Sequence, residues 1–213
     1  MPQMLTPMRT ILKGHAVMPV LTVHDAHTAG DLALALIEGG ITVFEVLLRT
    51  PAAVAGIAAM VRAAPQACIG AGTLLRRDDV LRAVDAGARF GVSPALTPAL
   101  ADAILEAGLP FLPGVGTPSE VLAAWERGFD TQKLFPAHGG QGVAWLQAIG
   151  PVFPQIRFCP TGGIRAADIP AYLALPHCVA VGGSWIAPPE LVQRRDWSAI
   201  TALARQASAM RVA

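Results

Sequence analysis

GAGTLLRRDDVLRAVDAGARFGVSPALTPALADAILEAGLPFLPGVGT, residues 70–117, decides the fold. Three short runs in and around it, CIGAGTL (68–74), FGVSP (90–94) and PFLPGVG (110–116), have the length and apolar content of buried strands. Between the last two lies TPALADAILEAG, whose apolar residues recur three and four apart and which ends on glycine, as a helix C-terminus does. GAGT at 70–73 returns as GVGT at 114–117, 44 residues or two strand–helix units later. A repeat of about 22 residues is therefore written into the chain.

The same beat runs outward in both directions. VMPVLTV (17–23) and ITVFEVLL (41–48) precede it, and TQKLFPA (131–137), IRFCPTGG (156–163) and CVAVGGSW (178–185) follow, which makes eight strand-like runs. Eight βα units in 213 residues predict a (β/α)₈ TIM barrel, a single α/β domain over 1–213 with a short N-terminal extension over about 1–16. An open doubly wound sheet is the alternative. Its nucleotide signature is missing, because GAGTLL and GVGTPS lack the third glycine of GxGxxG and no GxxxxGK[ST] occurs.

Composition narrows the function. A net charge of +1 with scattered cations offers no basic face for nucleic acid. The longest stretch without a charged residue, 134–156, is broken by four glycines and three prolines, which argues against a membrane span. No secretory signal is visible at the N-terminus, and Cys68, Cys159 and Cys178 form no CxxC pair, so free thiols in the cytoplasm are expected.

Candidate chemistry sits on the predicted strands, since a barrel carries its site at their C-terminal ends. Only Lys13 and Lys133 are lysines, and Lys133 stands in the strand-like DTQKLFPA (130–137). An ammonium cannot attack a carbonyl, and burial favours the neutral amine, so an enclosed lysine reads as a Schiff-base nucleophile. In ITVFEVLLRT, Glu45 and Arg49 are four apart on one extended face, with Arg49 about 13 Å nearer the mouth at about 3.3 Å per residue. A carboxylate buried without work to do is costly. PTGGI (160–164) and VGGSW (181–185) each end a strand on a Gly-Gly pair, where barrels commonly bind phosphate through backbone N–H groups, with Ser184 adding a hydroxyl. HDAH (24–27) lacks a third ligand pattern and is expected to be rim chemistry, not a metal centre.

Taken together, VMPVLTV, FEVLLRT, GAGTLL, GVSPALTPAL, KLFPA, RFCPTGGI and VGGSW resemble the class I aldolases of 2-keto-3-deoxy-6-phosphogluconate (KDPG) and 4-hydroxy-2-oxoglutarate (KHG), over nearly the whole chain. The resemblance implies a metal-independent, homotrimeric lyase without cofactor. Its substrate would be a 2-keto-3-deoxy sugar acid phosphate, cleaved to pyruvate and D-glyceraldehyde 3-phosphate. KHG, cleaved to pyruvate and glyoxylate, and the 6-phosphogalactonate isomer are further candidates. A phosphosugar isomerase or decarboxylase on the same barrel is the competing reading.

By position, the resemblance makes Lys133 the imine-forming residue and Glu45 the proton shuttle. Arg49 and Thr73 would hold the pyruvate carboxylate, Phe135 would pack beside the imine, and Pro94 and Thr161 would shape the pocket. Gly162, Gly163, Gly183 and Ser184 would bind the phosphate. The chain departs from the usual pattern at His138, where an acid is common, at Arg76, where asparagine is common, and at VHDAH, where basic residues are common.

Overall fold

The computed structural model describes residues 6–138 and 141–210. Its strands are β1 (Val17–Leu21), β2 (Val43–Leu47), β3 (Cys68–Gly72), β4 (Phe90–Val92), β5 (Phe111–Leu112), β6 (Gly114–Val115), β7 (Thr131–Leu134), β8 (Arg157–Phe158) and β9 (Val181–Gly183). All pair in parallel, in the orders β5-β4-β3-β2-β1-β9 and β6-β7-β8. Two bridges, Phe158↔Cys178 and Thr161↔Gly182, join the β8 side to the β9 side. The predicted run PFLPGVG is split at Pro113, which has no N–H to give a ladder. Its carbonyl still accepts from the Lys133 N–H at 2.8 Å, so β5 and β6 act as two halves of one barrel strand. The result is an eight-membered (β/α) barrel.

Two separate apolar layers follow from the two-residue period of the strands. Outward residues such as Val17, Leu21, Phe44, Val46, Ile69 and Val181 pack against the surrounding helices. Inward residues Met18, Val43, Phe90, Val92, Leu112, Cys159 and Ala180 form a second cluster inside the barrel. The N-terminal extension joins this inner cluster: the short helix α1 (Met8–Ile11) buries Met8, and Leu12 just after it is buried too. Their side chains are thus part of the barrel's inner packing.

The outer layer is α2 (Ala29–Glu38), α3 (Ala53–Ala63), α4 (Arg77–Asp85), α5 (Pro98–Ala107), α6 (Pro118–Glu126), α7 (Gln141–Ile149), α8 (Ile169–Leu173), α9 (Pro189–Gln193) and α10 (Trp197–Ser208). Local sequence sets several of these ends. Thr97 and Thr117 each precede a proline at the first helical position and accept from the N–H three residues on, Thr117 within a full capping box with Glu120. Gly108 closes α5 in the left-handed conformation expected of a C-terminal glycine. Among the described residues no helix is long and apolar enough to cross a membrane.

Close approach at the rim depends on Gly114. A Cβ there would lie 2.2 Å from the carbonyl carbon of Pro94, a backbone atom that cannot swing aside. Gly114 pairs with Lys133, so the loop after β4 can fold down beside the lysine only because this position carries hydrogen.

Candidate active site

Strand β7 places Lys133 inside the barrel, 4% exposed, and β2 brings Glu45 to meet it with no exposure at all. Lys133 Nζ lies 3.4 Å from Glu45 Oε1 and 5.2 Å from the centre of the Phe135 ring. Eighty-eight residues of sequence separate the two partners. Removing such a pair from water costs several kcal/mol per ion in round numbers, about what a mutual attraction in low dielectric returns.

Arg49 differs from its expected place. β2 ends at Leu47, and the Arg49 N–H turns back to the Leu47 carbonyl at 2.8 Å, so the extended four-residue spacing from Glu45 does not apply. The side chain is exposed at the mouth, and its Nε donates to Thr73 Oγ1 at 3.0 Å. Thr73 itself has φ 64, a left-handed conformation that costs a β-branched residue on the order of 1–3 kcal/mol. The neighbouring backbone holds it there: Leu48 N–H donates to Gly72 at 2.8 Å and Leu74 N–H to Val92 at 3.1 Å.

On the opposite side of the mouth, Thr161 N–H donates to Leu134, and the Ala137 and His138 N–H groups donate back to Thr161 and Gly162. This ties the end of the lysine strand to the Gly-Gly loop. Gly162 (φ 98) and Gly163 (φ 72) both occupy backbone space that favours glycine, and a Cβ on Gly162 would press the Phe135 ring at 3.1 Å. Gly183 ends β9 and is buried, Ser184 follows it and is exposed, and half-buried Pro94 lies against Gly114. Apart from Glu45, at the middle of β2, the residues singled out for the site lie in or beyond the C-terminal halves of the strands.

The positions of departure are also at the rim. His138 is exposed with φ 47. Arg76 reaches Asp79 at 3.6 Å, with the Leu75 N–H and Arg82 also on that carboxylate. Burial works against the charge of Asp79, but these donors and cations together hold its carboxyl below the ordinary range. His24 and Asp25 line a cleft of about 180 Å³ with Thr28 and Arg195. Among the described residues no group of three or more His, Cys, Asp or Glu is placed to hold a metal ion.

Inside the barrel, Cys159 is fully buried, and burial pushes its thiol up to about 12. Burial raises Cys178 still further and half-buried Cys68 less. Since the thiolate is the reactive form, an aromatic disulfide reagent at pH 8 is expected to titrate Cys68 alone in native protein, and all three thiols in denaturant. Rapid native release of three equivalents would contradict the burial of Cys159 and Cys178.

Sequence reasoning passed over Gly72 and Gly114, which shape the space around Glu45 and Lys133. The signal was present in the alternation of GAGT and GVGT, where every second residue is a glycine on the inward face.

The profile of the family described as KDPG and KHG aldolase matches residues 8–203. The KHG/KDPG aldolase of Escherichia coli (strain K12) is 42% identical over 202 residues, 95% of each chain. The KDPG aldolase of Legionella pneumophila, solved with pyruvate captured at low pH as a covalent carbinolamine intermediate, superimposes with a TM-score of 0.92 at 40% identity, over 96% of this chain and 99% of that one. The 2-keto-3-deoxy-6-phosphogluconate aldolase of Zymomonas mobilis ZM4, solved with 3-phosphoglycerate, gives 0.90 at 40% identity over 96% of both chains.

Proposed function

The chain belongs to the KDPG and KHG aldolase family and is a class I aldolase that yields pyruvate, and from that premise we propose that Lys133 forms the imine and that KDPG is the preferred substrate. One observation carries the assignment of the lysine: its amine is enclosed and faces a buried carboxylate at 3.4 Å. The relatives' own ligands support the two ends of the substrate, a pyruvate carbinolamine in one and a phosphorylated three-carbon acid in the other.

In the proposed cycle the neutral Lys133 amine attacks the C2 carbonyl, and protonated Glu45 helps the carbinolamine hydroxyl leave as water. Glu45, now a carboxylate, removes the proton of the C4 hydroxyl, directly or through a water. The C3–C4 bond breaks, its electron pair moves into the iminium to give the enamine, and glyceraldehyde 3-phosphate departs. Protonation at C3 and hydrolysis release pyruvate and restore the amine. The protonated imine is the electron sink.

Arg49 and Thr73 would grip the carboxylate in a fork that fixes which carbonyl meets the amine. Phe135, Pro94 and Thr161 would wall the carbon chain, and Gly162, Gly163, Gly183 and Ser184 would receive the distal phosphate. Sodium borohydride added with pyruvate should fix a reduced imine on the peptide that carries Lys133, read by mass spectrometry. Absence of label in an enzyme that still turns over KDPG would overturn the assignment. Rates on KDPG, its galactonate isomer and KHG compare the substrates.

The whole chain is proposed to work as one cytoplasmic domain, a reading supported by its free cysteines and by an outer core that runs from Ala16 to Ala207. Assembly into a trimer is supported by exposed Leu81, Leu105, Leu122 and Trp125 on α4, α5 and α6, apolar surface of a kind that partners cover. Light scattering should return three times the 22.1 kDa chain mass, and a monomer would refute it.

A further inference from the structure

Only one oxygen of Glu45 is partnered. Oε1 meets Lys133, whereas Oε2 is buried with no hydrogen-bond partner among the described residues. On the neighbouring strand, Glu45 pairs with Gly70 and Leu47 with Gly72, so a carboxylate leaning toward the rim comes to rest over Gly72. A Cβ at Gly72 would stand 3.0 Å from Glu45 Oε2, 3.1 Å from Glu45 Cδ and 2.8 Å from Leu47 Cδ2. Gly72 has no positive φ, so its backbone would accept any side chain. Space is what the position lacks.

We propose that Gly72 is a positioning residue for the aldol reaction, the recess that lets the Glu45 carboxylate lie against β3 with Oε1 toward the lysine nitrogen and Oε2 free to exchange protons. The proposal rests on the reading that Lys133 forms the imine and Glu45 moves the protons. Filling the recess forces the carboxylate away from β3 by a few tenths of an ångström. That displacement changes the line between donor and acceptor without removing either group, and proton transfer is sensitive to such misplacement.

The test is Gly72→Ala, assayed on KDPG. Turnover is expected to fall about 10- to 100-fold, with KM within about twofold of wild type. Unchanged kcat overturns the proposal. So does a raised KM with unchanged kcat, which would trace the effect to neighbouring Thr73 and Arg49. Leu47→Ala with and without Gly72→Ala removes the clash with Leu47 and leaves the carboxylate as the crowded group. The same 10- to 100-fold gap in kcat is expected between these two proteins at matching Tm, and equal turnover overturns the proposal even if Gly72→Ala alone does not fold. Borohydride labelling of wild type separates the two levels: unlabelled Lys133 defeats the underlying reading, whereas labelled Lys133 with kcat indifferent to Gly72→Ala defeats only this one.

Discussion

Lys133→Ala is expected to lower kcat for KDPG cleavage by on the order of 10⁴-fold or more, the scale seen when a covalent nucleophile is deleted, and to abolish borohydride-dependent labelling by pyruvate. In the proposed mechanism this amine turns the C2 ketone into an electron sink, so the orientation that remains would not substitute for it. Lys133→Arg should be nearly as inactive, because a guanidinium keeps the charge opposite Glu45 but does not condense with a ketone. This pair of variants separates chemistry from electrostatics. Loss of the buried amine leaves Glu45 without its hydrogen-bond partner, so Lys133→Ala should also be less stable by about 3 kcal/mol, measured by urea denaturation, while Lys133→Arg loses less. Cleavage retained in Lys133→Ala would end the imine mechanism for this chain.

Glu45→Gln gives the second large effect. The amide keeps the shape of the carboxylate but neither takes nor gives the proton that carbinolamine dehydration and C3–C4 cleavage require, and kcat should drop about 10²- to 10⁴-fold. Because Lys133 remains, pyruvate and borohydride should still label it, at a slower rate and with the same final mass. A Glu45→Gln enzyme with wild-type turnover would assign the proton transfers to another group.

The strand positions were legible because the period of the sequence is the period of the fold. Each of the nine observed strands lies inside one of the eight predicted runs, and the extra count comes from Pro113, whose missing N–H interrupts a ladder that the apolar pattern alone reads as continuous. Lys133 was conspicuous for its rarity and its greasy flanks. Its contact with Glu45 could be anticipated only through the barrel, since nothing local links residues 88 apart. Less legible were features set by tertiary approach. The turn after Leu47 carries Arg49 out of the strand, Thr73 is held at a positive φ by hydrogen bonds on either side, and the inward glycines matter for what they leave empty. The N-terminal segment read as an appendage because four helical residues carry too short a pattern to reveal which face is apolar, or what it covers.

With Met8 and Leu12 packed into the inner cluster, the N-terminal segment is a structural part of the barrel. Cutting the chain after Leu12 would strip two apolar side chains from the centre of the fold, so the loss of packing would be felt in the barrel interior and not only at its edge.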